Sequence, residues 1–280
     1  MRKVALIIDS SSGIKKDDLK KYEDTYLLPL LLNFPDGSEV EDDEDVISFN
    51  EFYDILEHQV IKTSQIPTGK MLSTWNELLK KYDGIVFMGL SKGLSGQHEN
   101  ISMLAQGDEY KNKVFVIDTD GVSQLLVYMI DLVYQWIGEG IELAEIQPKL
   151  NLIKTKVSTF IIPKSLETLK RGGRITAAAA ALASLLKITP ILRYDGRIDK
   201  FDKTRTFKKA VETALGQIKK ERQNWKNIIL LHSRTDDETL KEVFNIIEDA
   251  GAKITSTYIL ANVIAAHTGT NTVVLVCWDQ

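Results

Sequence analysis

Serine, threonine and glycine residues of one short stretch have the types and spacing from which an active site could be built. Residues 89–96 read Gly-Leu-Ser-Lys-Gly-Leu-Ser-Gly and contain Gly-x-Ser-x-Gly centred on Ser91. In α/β-hydrolases this pattern marks a nucleophile in a sharp turn between a strand and a helix. His267 follows at a distance, with acidic residues between, so the chain order Ser, acid, His is satisfied. A serine hydrolase that uses Ser91 and His267 is therefore one hypothesis.

Two features of the sequence weigh against catalysis at this stretch. A hydrolase also needs an oxyanion-hole loop of the HGGG type, and none precedes residue 89. After Ser91 the chain continues as Lys-Gly-Leu-Ser-Gly, which predicts a further loop where an elbow would begin its helix.

A phosphate-binding loop is also absent, because the pair Gly69-Lys70 lacks both the upstream glycine and the following hydroxyl residue. Any nucleotide would then be bound by another chain.

A third hypothesis treats the same residues as hydrogen-bond donors to a carboxylate. The donors are the hydroxyl groups of Thr63, Ser64, Ser91 and Ser95 and the amides of Gly93 and Gly96. All lie in segments expected at one edge of an α/β sheet, where ligands normally bind. A buried anion needs several hydrogen bonds to offset its lost hydration, and neutral donors supply them without adding chemistry. The alternative is that these are ordinary turn residues.

His267 is a polar residue at the end of an apolar segment, between Ala265-Ala266 and a C-terminal strand. A lone histidine of this kind is commonly a structural residue with its hydrogen bonds satisfied. It gains functional interest if it faces Thr63 and Ser91.

Strand and helix patterns alternate along the whole chain and predict how these residues are positioned. Continuous apolar runs at Val4–Ile8 and Ile85–Met88 are typical of strands buried on both faces. The repeated strand–helix–strand order predicts a parallel sheet in residues 1–155, the N-terminal α/β domain. A hairpin around Asp195-Gly196, mixed with helices, predicts a mixed sheet in residues 156–280, the C-terminal α/β domain.

Two local predictions matter for the site. The run Tyr26–Phe34 is expected to be the second strand, and Lys62–Gly69 is expected to be a polar loop ended by proline and glycine.

Composition narrows the class of partner. The formal net charge is −4, and the 35 basic and 39 acidic residues are spread along the chain, so no polybasic surface for nucleic acid is predicted. The acidic stretch Glu39–Asp45 lacks the spacing of a metal site and is expected to be a solvated loop. No apolar run is long enough for a membrane anchor, and the lone cysteine, Cys277, fits a reducing compartment such as the cytoplasm. No cofactor is expected.

The motifs taken together resemble the DegV-like fatty-acid-binding proteins that serve bacterial fatty acid kinase. The matching segments are Asp9-Ser10 after the first strand, Leu28-Pro-Leu30, Phe49–Tyr53, Thr63-Ser-Gln65, Ser91 with Gly93-Leu-Ser-Gly96, Val116-Ile-Asp118, Leu169-Lys-Arg-Gly-Gly-Arg-Ile175 and His267-Thr-Gly269. Each motif is weak alone, and their order and spacing along nearly the whole chain carry the resemblance.

The resemblance implies two α/β domains with a long-chain fatty acid in an apolar tunnel between them. It assigns the carboxylate to the Thr63-Ser64 and Ser91–Gly96 segments and to His267 with Thr268. It implies a non-catalytic carrier that presents the acid to a separate kinase, which supplies ATP and forms the acyl phosphate. Arg171 and Arg174 are then candidates for contacting the kinase or the acyl phosphate, the alternative being a solvated helix C-cap.

The chain departs from the family pattern at a few positions. Gln97 stands where the family usually has threonine or serine, and Ala265-Ala266 and Thr270-Asn271 replace a Gly-Pro-Gly type of segment. These departures bear on selectivity for the acyl chain more than on the carboxylate site.

Overall fold

Alternating strands and helices run through residues 3–279, the part of the chain that the computed structural model describes. The strands are β1 (Val4–Asp9), β2 (Thr25–Leu28), β3 (Leu31–Asn33), β4 (Glu39–Glu41), β5 (Lys62–Ser64), β6 (Gly84–Met88), β7 (Val114–Ile117), β8 (Val157–Pro163), β9 (Thr189–Tyr194), β10 (Ile198–Thr204), β11 (Asn227–His232), β12 (Lys253–Ile259) and β13 (Thr272–Trp278). The helices are α1 (Lys16–Leu19), α2 (Phe49–Leu56), α3 (Thr68–Leu78), α4 (Gln97–Leu104), α5 (Gln124–Gly138), α6 (Ile146–Lys154), α7 (Glu167–Gly172), α8 (Ala177–Ala180), α9 (Phe207–Glu221), α10 (Asp237–Asp249) and α11 (Asn262–Thr268).

These elements divide into two units. The first contains residues 3–49 and Ile61–Lys154, and the second contains Asn50–Val60 and residues 155–279. The sequence predicts two continuous stretches, and the structure differs from this prediction in placing the segment Asn50–Val60 with the second unit. It belongs to the second unit because Arg234 binds it: Nη1 lies 2.7 Å from Oδ1 of Asp54, and the guanidinium lies over the ring of Tyr53.

The first unit contains a four-stranded parallel sheet in the order β2-β1-β6-β7, which confirms the predicted parallel α/β architecture. Every residue of β1 and β6 is buried, as expected for continuous apolar runs covered on both faces. Because the four strands are parallel, their carboxyl ends meet at one edge of the sheet. The segments after β1, β6 and β7 are therefore neighbours.

A second, smaller sheet in this unit was not predicted. The run Tyr26–Phe34 is not one strand, because it breaks at Pro29, which has no backbone N–H to donate to a ladder. After the break, β3 pairs antiparallel with both β4 and β5. The expected polar loop at Lys62–Gly69 therefore begins as a strand, in which Thr63 pairs with Leu32 and Ser64 with Leu31.

The second unit contains a six-stranded mixed sheet in the order β10-β9-β8-β13-β11-β12. Only β11 and β12 are parallel among these pairs, so the predicted mixed sheet is confirmed. The predicted hairpin is also present, joining β9 to β10, with Gly196 at φ +90° in the turn. Helices α9 and α10 pack their apolar faces on this sheet and enclose a core around Phe160, Leu230 and Leu275.

Candidate functional site

The segments at the carboxyl edge of the parallel sheet are joined by backbone hydrogen bonds. The amide of Ser91, after β6, donates to the carbonyl of Gly121, after β7, at 2.9 Å. The amide of Ser123 donates to the carbonyl of Ser11, after β1, at 2.8 Å. Backbone hydrogen bonds alone thus join the ends of the three neighbouring strands β1, β6 and β7. The serine-rich segments that follow these strands form one surface of the first unit.

Ser91 lies in a turn, not in a nucleophile elbow. It follows the end of β6 by three residues and precedes α4 by six, and 1% of it is exposed. Its Oγ accepts a hydrogen bond from the amide of Gly93 at 3.2 Å, and its carbonyl accepts from the amides of Leu94 and Ser95. An elbow would place the serine at the junction of strand and helix. The predicted ligand donor at Gly93 is therefore already paired, through a long bond, within the turn.

The first glycine of the Gly-x-Ser-x-Gly pattern has a steric explanation. A Cβ at Gly89 would overlap Oδ2 of Asp9 and lie 2.7 Å from Cζ of Phe87. Real Cβ atoms essentially never approach heavy atoms so closely. The glycine is required by the buried carboxylate beside it, so its presence gives no support to a hydrolase.

The Thr63-Ser64 strand adjoins the Ser91 turn through the residues that follow it. Asn100 Nδ2 on α4 donates to Oε1 of Gln65 at 2.6 Å, and Nε2 of Gln65 lies 3.2 Å from the position of a Cβ at Gly96. Both Thr63 and Ser64 are half-buried, and the Ser64 hydroxyl donates to Oδ1 of Asn33 at 2.8 Å. The structure thus brings the two predicted hydroxyl-bearing segments together within the first unit.

Ser95 and Gly96 complete this surface at the start of α4. The Ser95 Oγ accepts a hydrogen bond from the amide of Gln97 at 3.2 Å, and Ser95 itself is half-buried. Gly96 is exposed and is the N-cap residue of α4. The start of a helix presents backbone N–H groups and a positive partial charge, which favour an anion.

Asp9 and Gln97 were not among the predicted site residues, yet they connect these segments. Asp9 has no exposed surface, and its carboxylate accepts hydrogen bonds from Ser11, from the amide of Leu90 and from Nε2 of Gln97. The Oε1 of Gln97 accepts from the amide of Ile66 at 2.8 Å. Burial raises the pKa of the Asp9 carboxyl above its ordinary value, while the hydrogen bonds it accepts act in the opposite direction. The sequence signal was the Asp-Ser-Ser-Ser turn after a buried strand, whose acid reads as a turn residue.

His267 belongs to the second unit and lies in the last turn of α11, which packs against α7. Its Nδ1 lies 2.6 Å from the position that a Cβ would take at Gly172. Burial and, after it, the charge of Arg174 lower the pKa of the imidazole to about 4. The His267 side chain is therefore neutral near pH 7, when it offers one N–H donor and one nitrogen acceptor.

Thr268 is buried, and its hydroxyl is directed at the carbonyl of the next residue, Gly269. The Oγ1 lies 3.4 Å from the carbonyl oxygen of Gly269, and its carbonyl accepts from the Thr272 hydroxyl at 3.0 Å. These contacts stabilise the turn between α11 and β13.

The Arg-Gly-Gly-Arg sequence ends α7. Gly173 has φ +66°, its amide donates to the carbonyl of Lys170, and the amide of Arg174 points at the carbonyl of Leu169, which is the pattern of a glycine-terminated helix. The Arg174 guanidinium turns back to the carbonyl of Gly172, whereas Arg171 is exposed. The C-cap alternative therefore explains Gly173 and leaves Arg171 exposed.

The departures from the family pattern have structural roles. Ala265 and Ala266 are buried on α11, and Asn271 takes the left-handed conformation at φ +54°, which asparagine tolerates better than most residues. Gly269 combines φ +75° with a would-be Cβ only 3.0 Å from Oγ1 of Thr168.

Within residues 3–279, no group of histidine, cysteine, aspartate and glutamate side chains could hold a metal ion. No helix in the same range is long and apolar enough to cross a membrane.

Comparison with known proteins gives matches along the whole chain. The family model described as "Uncharacterised protein, DegV family" matches residues 3–279. A DegV domain-containing protein of Staphylococcus aureus is 30% identical over 286 aligned positions, which cover 99% of each chain. Among solved structures, the fatty acid binding DegV family protein from Streptococcus agalactiae has a TM-score of 0.86 and 25% identity over 100% of both chains. A DegV family protein from Thermus thermophilus, described by its fatty acid binding, has a TM-score of 0.83 and 26% identity over 100% of both chains.

Proposed function

This chain belongs to the DegV family, and on that premise we propose that it binds a long-chain fatty acid without reacting with it. The observation that carries the proposal is the likeness, over the full length of both chains, to a DegV family protein that binds fatty acid. The hydroxyl-rich surface at the carboxyl edge of the parallel sheet supports it, since that surface holds several neutral donors close together.

The carboxylate is bound in the first unit by the hydroxyl-bearing segments. The donors are Thr63, Ser64, Ser91 and Ser95, with the amides of Gly93 and Gly96. Hydroxyl protons can rotate toward an anion at little cost, and the 3.2 Å bond from Gly93 to Ser91 is long enough to be exchanged for one to the ligand. Neutral donors stabilise the carboxylate while leaving it unreacted.

His267 and Thr268 of the second unit are further proposed ligands, assigned by the family resemblance. A neutral imidazole suits this role because it donates one N–H to a carboxylate oxygen without forming an ion pair that would trap the acid. The lowered pKa of His267 supports a neutral donor near pH 7.

The acyl chain provides the affinity. Burying about fourteen methylene groups at about 0.8 kcal/mol each gives a gross driving force of about 11 kcal/mol. Loss of ligand freedom offsets part of this value, and the remainder still suffices to hold an acid that would otherwise partition into membranes. The hydrogen bonds to the head group then orient the acid more than they hold it.

Native mass spectrometry of the protein purified from cells tests the proposal. The expected result is an adduct with the mass of a long-chain fatty acid, which disappears after delipidation and returns when oleate or palmitate is added. A protein that carries no adduct and takes up neither acid contradicts fatty acid binding.

Substitution of the hydroxyl-bearing residues tests the head-group assignment. Thr63→Val and Ser91→Ala should each weaken oleate binding by about tenfold, because each removes a hydrogen bond to a charged group worth about 1.5 kcal/mol. Ser73→Ala is the matched control, since Ser73 lies on α3 and its hydroxyl donates to the carbonyl of Lys70. Unchanged affinity in both site variants would remove these residues from the site.

The hydrolase alternative is tested with the same Ser91 variant. A serine hydrolase would turn over a short ester, and Ser91→Ala would abolish that turnover. A binding protein shows no turnover above the background of the Ser73→Ala control.

We further propose that the bound acid is presented in the cytoplasm to a separate ATP-dependent kinase. The lone cysteine, Cys277, which is buried, favours a reducing compartment. Exposed Arg171 is the proposed contact, with Arg174 beside it. Loaded protein, ATP and a soluble extract of the source cells should yield acyl phosphate, trapped by hydroxylamine as the acyl hydroxamate. Arg171→Glu should abolish the product while oleate affinity is unchanged; full product from this variant would exclude the Arg171 contact.

A further inference from the structure

Hydrogen bonds from several separate segments converge on the carboxylate of Asp9. Its Oδ1 accepts from the amide of Ser11 at 3.1 Å and from the Ser11 hydroxyl. Its Oδ2 accepts from the amide of Leu90 at 2.8 Å and from Nε2 of Gln97 at 3.0 Å. Asp9 is fully buried, so these donors replace the water that the carboxylate loses on folding.

Gln97 extends this convergence to the strand that carries Thr63 and Ser64. Gln97 is 1% exposed, and its side chain has one hydrogen bond at each end, donating from Nε2 to Asp9 and accepting at Oε1 from the amide of Ile66 at 2.8 Å. Ile66 is two residues beyond the end of β5. A serine or threonine at position 97 is too short to span both partners.

The direction of each hydrogen bond is fixed by the backbone N–H of Ile66. That group can only donate, so it orients the Gln97 amide with its Oε1 toward Ile66. The NH₂ of Gln97 then faces Asp9 and donates to Oδ2. If the Gln97 amide were reversed, its NH₂ would face the N–H of Ile66 and both bonds would be lost.

We infer that Asp9 and Gln97 are positioning residues for the carboxylate-binding surface, holding the Ser91 turn and the Thr63-Ser64 strand at a fixed separation. Asp9 fixes the turn through Leu90, next to Ser91, and Gln97 fixes the strand through Ile66. The close approach of Gly89 to Oδ2 of Asp9 is a consequence of the same arrangement. The effect on ligand binding rests on the proposed function, whereas the effect on the two segments does not.

Asp9→Asn and Gln97→Glu test the inference with almost no change of shape. Whichever way the new amide of Asp9→Asn is turned, its NH₂ faces either the donors of Ser11 or those of Leu90 and Gln97. Gln97→Glu places a second carboxylate against the first in a buried site. The double variant Asp9→Asn with Gln97→Glu restores the net charge and lets the new amide donate to the new carboxylate, which still accepts from Ile66. Asp131→Asn is the matched control, because Asp131 is on α5 and accepts from the Tyr22 hydroxyl.

Two readouts are used on folded variants, as judged by thermal melting. The first is hydrogen exchange of the Ile66 amide, measured by NMR on the ligand-free protein. The second is the affinity for oleate. Each single variant should speed exchange at Ile66 and weaken oleate binding by about tenfold or more, as expected for one lost hydrogen bond to or through a charged group. The double variant should recover the exchange rate at Ile66 and part of the oleate affinity, because its Leu90 amide still faces the new NH₂. The control should change neither.

Rescue by the double variant shows that the two side chains act through their mutual hydrogen bond, because substitutions that act independently add. Additive losses in the double variant, or wild-type exchange and affinity in Asp9→Asn, would overturn the inference. If Asp9→Asn does not fold, Gln97→Met provides the test. It removes both hydrogen bonds of Gln97 without adding charge, and wild-type exchange at Ile66 in this variant would refute the positioning role of Gln97. A wild-type protein that binds no oleate refutes the proposed function, while Ile66 exchange still judges the role of Asp9 and Gln97.

Discussion

Acidification should destabilise the ligand-free protein through His267. The imidazole has a pKa of about 4 in the folded chain against an ordinary 6.5, so the unfolded chain binds the proton more tightly. Stability from this group is fully present above about pH 7 and is lost as the pH falls toward about 4, because unfolding then takes up a proton. With these two pKa values, going from about pH 7 to about pH 5 costs about 2 kcal/mol of unfolding free energy.

Urea unfolding of delipidated protein at the two pH values measures this loss. His267→Gln keeps a polar side chain of similar length and removes the titration, so its loss between the two pH values should be smaller than that of the wild type by about 2 kcal/mol. His58→Gln, at an exposed position in the turn after α2, controls for the substitution itself. If wild type and His267→Gln lose the same free energy, the imidazole is not held neutral by burial, and the proposed neutral donor is wrong.

Two glycine substitutions test the packing around the site. Gly89→Ala forces a Cβ onto Oδ2 of Asp9 and should cost about 2–3 kcal/mol of unfolding free energy in urea titration, as overpacking does; Gly69→Ala, on α3 with no atom within 4 Å of its Cβ position, should instead stabilise by about 0.5–1 kcal/mol. A cost at Gly69 equal to that at Gly89 would contradict the steric explanation. Gly172→Ala places a Cβ 2.6 Å from Nδ1 of His267 and should displace the imidazole and lower oleate affinity. Unchanged oleate affinity in Gly172→Ala would show that His267 does not bind the ligand.

Much of the local structure was predictable because it depends on short-range patterns. The buried runs of β1 and β6 and the hairpin at Gly196 follow from the alternation of apolar residues and from turn chemistry. The serine-rich segments were predicted at one sheet edge because parallel strands end together. Sequence reasoning did not predict the pairing of β3 with β5, because it joins residues about thirty positions apart and neither strand has a strong sequence pattern.

The sequence by itself determined the alternation of strands and helices, the family to which the chain belongs, and the hydroxyl-bearing segments of the candidate site, because each is encoded in residues close together in the chain. Only the tertiary structure decided that Asn50–Val60 belongs to the second unit, that Gly89 is required by Asp9, and that Gln97 connects Asp9 to Ile66. These features depend on the direction of hydrogen bonds and on distances of a few ångströms between distant residues. A carboxylate after a strand gives no sign in the sequence of how many donors will surround it once it is buried.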